Sequence, residues 1–142
     1  MDFGSRKFTL QLNNFADKVG LSIEDVFTKV GLQAFKRVIE KTPVDTGRAK
    51  GNWQISIDAP IMTGVDTVDT TQVGSFSDDR RLEAMSVLAG LREWAEIKIF
   101  ITNNVVYIYP LEMGHSKQSW GMARTTVQEL RSYINAIVNR KD

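Results

Sequence analysis

The sequence has no cysteine, one histidine and three prolines, and each scarcity excludes a class of site. Without cysteine the chain forms no disulfide and no thiolate metal site. The single histidine, His115, excludes a metal site that needs a second imidazole ligand. The longest apolar run, Val105 to Leu111, is too short to cross a bilayer, and the N-terminus lacks the pattern of a signal peptide. We therefore expect a protein of a soluble compartment with no membrane segment.

Charge is also nearly balanced, with 18 basic and 17 acidic residues and a net charge of +1. Whole-chain electrostatics thus give no reason to expect nucleic acid or a membrane surface as a partner. A length of 142 residues is typical of one domain. No internal repeat or second domain is evident, and we expect residues 1–142 to form a single domain.

Apolar residues at helical spacing predict four helices. The clearest begins after Ser22, a good N-cap, and ends before Pro43, which cannot continue a helix. The others are a shorter helix that ends at Gly20, one in the segment RRLEAMSVLAGLREW after Asp78 and Asp79, and one from Met122 to Arg140.

Two further segments favour strands. In NWQISID the apolar residues Trp53, Ile55 and Ile57 alternate with polar ones, as in a half-buried strand. In EIKIFITNNVVYIYP two β-branched runs flank Asn103-Asn104, which predicts a β-hairpin. The order of elements indicates an α+β fold in which three to four helices pack on a small antiparallel sheet.

Residues 59–79 differ from the rest of the chain. This stretch is rich in Thr, Asp, Gly and Ser, and its apolar residues have little periodicity. Loops of this length in compact domains are usually functional or disordered. We predict a long, extended arm that is mobile in the free protein and ordered in an assembly.

The tripeptide Asp45-Thr46-Gly47 raises the question of catalysis, because Asp-Thr-Gly is the signature of aspartic proteases, in which two such aspartates share a proton. In a retroviral-type protease the motif follows an apolar strand. Here it follows a predicted helix and Pro43, and Arg48 takes the place of a small residue. The alternative is a structural turn, in which Asp45 accepts backbone N–H bonds and Gly47 adopts a positive φ.

Other catalytic or metal-binding arrangements are weaker. His115 lies near Glu112 but has no further metal ligands beside it, and Ser116 is too close in sequence to form a relay with it. Asp66 and Asp69 suit a solvated loop as well as a hard cation. We therefore expect no catalytic residue, no metal and no cofactor.

Two stretches together resemble a known family. TPVDTGRAKGNW joins a helix to a strand, and ITNNVVYIYPLEMGHSKQSWGMAR joins an Asn-Asn turn to the last helix. In their order and spacing they resemble the tail-completion, or neck, proteins of long-tailed bacteriophages. The chain departs from the family pattern at Ser119-Trp120, where Ala-Pro is common, and at Val105-Val106, where a proline often precedes the tyrosine.

This resemblance implies a virion structural protein without enzymatic activity, at the junction of head and tail. It implies a homo-oligomeric ring around the DNA exit channel, in contact with the head connector or stopper and with tail-terminator or tail-tube proteins. A sixfold ring is expected, as is non-specific contact with the passing DNA. Such a protein is made in the host bacterial cytoplasm and ends in the virion. The alternatives are a tail terminator that caps the tail tube and, more distantly, the dimeric aspartic protease.

The residues singled out form two groups. The structural turn consists of Pro43, Val44, Asp45, Thr46, Gly47 and Arg48. A ring needs contacts between different patches of neighbouring copies, and we expect a large aromatic residue to anchor one of them. The candidate interface consists of Trp53, Glu112, Gly114, His115, Lys117, Gln118, Trp120 and Gly121.

Overall fold

The computed structural model describes residues 5–92, 96–114 and 121–139, which form a mixed α+β fold as the sequence predicted. Four longer helices lie in the predicted segments, although the one predicted in RRLEAMSVLAGLREW ends at Leu88. Two single-turn helices were not predicted. Among these residues no helix is long and apolar enough to cross a bilayer. The elements are α1 (Ser5–Val19), α2 (Ile23–Lys41), α3 (Arg48–Gly51), β1 (Trp53–Ile57), α4 (Asp78–Leu88), β2 (Ile99–Asn103), α5 (Ile108–Glu112) and α6 (Met122–Val138).

Helix α2 begins and ends where its end signals place it. The Ser22 hydroxyl accepts a hydrogen bond from the backbone N–H of Asp25 at 3.2 Å, which is the predicted N-cap. At the other end Thr42 is fully buried, and its hydroxyl donates to the carbonyl oxygen of Val38. Pro43 comes next and stops the helix, because it has no N–H to donate.

The sheet consists of β1 and β2 in antiparallel pairing, with Ile55 opposite Ile101. Strand β1 is the strand predicted from alternation. Trp53 and Ile55 are buried, and the Trp53 indole N–H donates to the Thr42 hydroxyl at 2.7 Å. This bond satisfies the polar atom of a buried tryptophan and ties the start of β1 to the end of α2.

The predicted hairpin at Asn103-Asn104 is wrong, because β2 ends at Asn103 and the chain then turns into α5. Both asparagine side chains bind remote carbonyl oxygens: Asn103 donates to Ala49 at 2.8 Å and Asn104 to Ile61 at 3.0 Å. Pro110 lies within α5 and has no N–H for a strand ladder. The apolar run after Asn104 therefore forms a turn and a short helix.

Two apolar clusters make up the core. One lies between α2, α4 and the sheet and includes the fully buried Phe35 and Ile39. The other lies between α1, α2 and α6 and includes Val26 and Ile134. Ile99 of β2 packs against both clusters. Helix α2 contributes to both and thus holds the sheet and the outer helices on one scaffold.

A buried cation, Arg80, lies in the first cluster. Its guanidinium donates to the carbonyl oxygens of Trp53 and Gly51 and lies 5.2 Å from the centre of the Phe35 ring. Glu83 lies 3.4 Å away and offsets the charge. Arg80 thereby joins the first turn of α4 to the start of β1 and satisfies carbonyl groups that no strand pairs with.

Helices α2 and α6 are also joined at the surface by Glu129. Its carboxylate accepts hydrogen bonds from Lys41, at 2.9 Å, and from Arg37. Burial acts to raise the pKa of Glu129, but the hydrogen bonds from Lys41 and Arg37 outweigh it and hold the pKa below its ordinary value.

We expect Glu129→Gln to reduce the loss of stability in acid. Because the folded-state pKa is below the unfolded one, the ionised carboxylate stabilises the fold above the unfolded pKa, and this contribution is lost as pH falls through the folded pKa. The Glu129 side chain is 36% exposed, so solvent screening limits the effect to about 1 kcal/mol or less. Urea unfolding at neutral and acid pH measures it. The control is Glu96→Gln, whose ion pair with Lys98 is longer at 3.7 Å. Equal acid sensitivity of wild type and Glu129→Gln would contradict the prediction.

Candidate functional site

The turn at Pro43–Arg48 has the geometry expected of a structural element. Gly47 has φ 84°, so the predicted positive φ is confirmed, and it immediately precedes α3. The Arg48 backbone N–H donates to the Thr46 hydroxyl at 3.3 Å, which is a different bond from the one expected for the Asp45 carboxylate. The Arg48 side chain is exposed and forms no hydrogen bond or ion pair with the described residues.

Asp45 itself is exposed and follows the end of a helix. Its carboxylate makes no hydrogen bond with the described residues. An aspartic protease places this residue after a strand and pairs it with a second aspartate, and neither feature is present in the described part of one chain. The described residues also contain no group of three His, Cys, Asp or Glu side chains that could hold a metal ion.

The segment that the turn supports is residues 59–77, here called the strap, which connects β1 to α4 without regular secondary structure. The strap crosses α3 at very close range. The Asp69 N–H donates to the Gly47 carbonyl oxygen at 2.9 Å. A Cβ atom on Gly51 would lie 2.3 Å from the Thr67 oxygen, and one on Gly47 would lie 2.5 Å from the Asp69 oxygen. Both glycines are therefore required by the approach of two backbones.

Lys50, between these glycines, is completely buried and binds the strap with its ammonium group. The Nζ atom donates to the Thr71 hydroxyl at 2.8 Å and to the Gln72 carbonyl oxygen at 2.7 Å. Burial lowers the pKa of Lys50, and the charges of Asp69 and Glu40 oppose that shift. Satisfied donors of this kind indicate a structural anchor rather than a catalytic base.

Two buried amide side chains continue this anchoring along the strap. Asn52 accepts a hydrogen bond from the Val65 N–H at 2.9 Å while its own amide donates to the Arg48 oxygen at 2.7 Å. Gln54 donates to the Thr63 oxygen at 2.7 Å. The motif TPVDTGRAKGNW thus supplies the surface on which the strap rests.

The strap is exposed along most of its length, as expected for the predicted arm at 59–79. Two of its apolar side chains face solvent, since Met62 is 76% exposed and Val68 is 56% exposed, whereas Phe76 packs edge-to-face on Phe35 of the core. The anchors described above bind its backbone. Its mobility in the free protein stays a prediction that hydrogen exchange tests.

The second motif is organised by Glu112. This side chain is only 8% exposed, and its carboxylate oxygens accept the backbone N–H groups of Ala123 and Arg124, each at 2.9 Å. These are first-turn donors of α6, where a carboxylate is favoured by both hydrogen bonding and the helix dipole. The Glu112 carbonyl oxygen also accepts the Gly121 N–H at 2.9 Å. Glu112 therefore closes the base of the segment that leaves at Gly114 and returns at Gly121.

The structure removes two residues from the candidate interface that the sequence predicted. Trp53 is 5% exposed and belongs to the core, and Glu112 is occupied within its own chain. Neither is available to a partner, because both side chains are buried by intramolecular contacts. Gly114 and Gly121 both have positive φ and flank the segment between them. The other predicted interface residues, His115, Lys117, Gln118 and Trp120, lie outside the described residues.

Three exposed apolar residues that precede this segment in the sequence were not anticipated. Val106 is 95% exposed, Tyr109 is 61% exposed and Met113 is 48% exposed. Sequence reasoning assigned Val106 and Tyr109 to a strand of the wrong hairpin. Their spacing of three and four residues is also compatible with one side of a helix.

A comparison with protein-family models, with curated proteins and with solved structures finds no significant match. The function of this chain is therefore inferred from its own residues and geometry.

We expect Gly51→Ala to destabilise the protein by about 1–3 kcal/mol and to release the strap, because the new methyl group would overlap the Thr67 carbonyl. Gly20→Ala is the matched control: Gly20 has φ 73° but nothing within 4 Å of an added Cβ. It should cost about 1–2 kcal/mol through backbone strain alone. Thermal unfolding and limited proteolysis within residues 59–77 measure the two effects. Faster cleavage in both variants, or in neither, would contradict the proposed contact between Gly51 and the strap.

We expect Glu112→Ala to cost about 2–4 kcal/mol, because two N–H groups of α6 lose a charged, buried acceptor. Glu112→Gln should cost less, since one carbonyl oxygen remains. Glu96→Ala, at an exposed position, should leave the free energy of unfolding nearly unchanged. Urea unfolding measures all three. If Glu112→Ala were as stable as Glu96→Ala, the assignment of Glu112 as the cap of α6 would be wrong.

Proposed function

We propose that this chain is a bacteriophage virion structural protein of the tail-completion, or neck, type, which joins the tail to the head connector. The motifs that resemble this family are TPVDTGRAKGNW and ITNNVVYIYPLEMGHSKQSWGMAR. Both have a structural role in the fold. The first binds the strap, and the second contains Glu112, which caps α6.

The observation that carries the proposal is the capping of α6 by Glu112. It explains why Leu-Glu-x-Gly and Gly-Met occur together, since the first supplies the acceptor and the second begins the helix that needs it. A motif that fixes both ends of the segment between Gly114 and Gly121 suits an assembly protein. The exposed Tyr109 and Met113 beside it add apolar area for a partner.

In this proposal, copies form a ring around the DNA channel, with six copies as the expected number. The segment between Gly114 and Gly121 provides one of the two patches that a ring contact needs. Neighbours in the virion are the head connector or stopper and the tail-terminator or tail-tube protein. Any contact with the passing DNA is expected to be non-specific, as the resemblance to this family implies, because the net charge of +1 gives no separate argument for DNA binding. No enzymatic step, metal or cofactor is proposed.

The alternative within the same class is a tail terminator that caps the tail tube. The two roles differ in the particles that form without the protein. Loss of a neck protein leaves finished heads and finished tails apart, whereas loss of a cap leaves tube growth unstopped. The aspartic protease remains the alternative of a different class and predicts a pepstatin-sensitive activity that Asp45→Asn abolishes.

Trp120→Ala tests the proposal. We expect the purified variant to fold normally, while virions that carry it contain heads and tails that fail to join, because a large aromatic anchor often contributes about 2 kcal/mol or more to an interface. Trp53→Ala is the contrasting variant and should lose stability, since Trp53 is buried in the core. Thermal unfolding and electron microscopy of particles are the measurements.

Two outcomes would count against this reading. An unfolded Trp120→Ala protein would place Trp120 in the core and remove it from the interface. Normal infectious particles from a phage lacking the gene for this chain would exclude a role at the head–tail junction.

A further inference from the structure

Within residues 5–92, 96–114 and 121–139, no strand pairs with the outer edge of β2 in the two-stranded sheet. The Asp58 N–H donates to the Lys98 carbonyl oxygen at 3.1 Å, which identifies this opposed pair as hydrogen-bonded. Hydrogen-bonded pairs recur at every second residue of an antiparallel ladder, so Phe100 and Thr102 bond to β1. The residues between them direct their backbone N–H and C=O groups away from β1.

Those residues include Ile99 and Ile101, and no described backbone group bonds to their outward N–H or carbonyl. Free edges in soluble proteins are commonly blunted by lysine, proline or a bulge. The sequence of β2, IFITN, has no charge and no proline. It is therefore an edge to which another extended backbone can add.

A second free edge runs along the strap. Between residues 61 and 71, the backbone groups that bond to the rest of the chain, or to a side chain, belong to odd-numbered residues. They are Ile61, Thr63, Val65, Asp69 and Thr71. Successive residues of an extended chain direct these groups to opposite sides. The even-numbered residues from Met62 to Thr70 are all exposed, and no backbone bond of theirs involves the described residues.

We propose that the outer edge of β2 in one copy pairs with the even-numbered backbone groups of the strap, residues 62–70, in a neighbouring copy. The pairing adds a third strand to each sheet and satisfies both rows of unpaired groups. It joins two different patches, which is the type of contact that closes a ring. This inference rests on the proposed ring and names its second contact.

Charge favours this pairing of unlike edges over pairing of like ones. Residues 58–79 contain Asp58, Asp66, Asp69, Asp78 and Asp79 and no basic residue. Two straps side by side would oppose like charges, which destabilises cross-strand pairs. The β2 edge is uncharged and begins after the exposed Lys98, so it meets an acidic strap without repulsion. Pairing of two β2 edges would give an isolated twofold dimer.

Amide hydrogen exchange of the full chain, followed by NMR at low and high concentration, tests the pairing. In the dilute monomer, the N–H groups of Ile99 and Ile101 should exchange fast, while those of Phe100 and Thr102 are protected by β1. On self-association, Ile99, Ile101 and Val68 should slow by roughly tenfold or more, because their N–H groups become hydrogen-bonded. The Phe100 and Thr102 amides are internal controls within the same strand.

A variant pair isolates the strap. Asp66→Pro removes one outward N–H and should weaken self-association by roughly tenfold or more. Asp66→Ala removes the same carboxylate but keeps the N–H, and should stay within about threefold of wild type. Sedimentation velocity measures association, and thermal unfolding of the monomers verifies that both variants keep the fold.

Each other outcome overturns the inference in a distinct way. Slow exchange of Ile99 and Ile101 in the dilute monomer would mean that the edge is already covered within the chain. A monomer at every concentration would exclude pairing between copies. Protection of β2 with no effect of Asp66→Pro would indicate pairing of two β2 edges. Association without protection of β2 would remove this contact and leave the neck proposal intact, since that proposal is tested separately by head–tail joining.

Discussion

The contact between two backbones at α3 is the constraint on which the rest of this surface depends. Gly47 and Gly51 leave room for the strap to approach closer than any side chain would permit, and the buried Lys50 donates its ammonium hydrogens to strap oxygens. A buried cation is tolerated only when hydrogen bonds replace its water, and here the strap supplies the acceptors. The turn and the strap are therefore one structural unit: without the strap, Lys50 would lose the acceptors that its burial requires.

Elements set by local signals were predictable from the sequence, whereas elements set by remote partners were not. Helix α2 was, because Ser22 and Pro43 act on residues within one turn of themselves, and so was the positive φ of Gly47. The β-hairpin was not, because the side chains of Asn103 and Asn104 bind carbonyl groups far away in the sequence. Local propensity favoured a turn between two strands at this point. Remote partners selected a turn into a helix instead.

The candidate interface also depends on contacts between residues that are remote in the sequence. The sequence placed Trp53 and Glu112 in the candidate interface because large aromatic residues anchor interfaces and because Glu112 begins the loop that ends at Gly121. Only the folded chain reveals that Trp53 donates to Thr42 and that Glu112 lies at the first turn of α6. A cap supplied from outside its own helix has no fixed spacing in sequence, since the segment between acceptor and donors can vary in length. The sequence therefore contained the motif that includes Glu112, but it did not reveal that Glu112 caps α6.

The distribution of polar and apolar contacts also bears on function. The strap is attached to its own chain through backbone groups and the side chains of Lys50, Asn52 and Gln54, while Met62 and Val68 are turned to solvent. A loop that served only to connect β1 with α4 would gain stability by the opposite arrangement, with its apolar side chains buried and its backbone hydrated. Outward apolar side chains on a hydrogen-bonded backbone are instead suited to contact with another molecule, where their burial contributes to association. This arrangement supports the proposed assembly role, because the strap is held to its own chain by hydrogen bonds while Met62 and Val68 stay available for contact with another molecule.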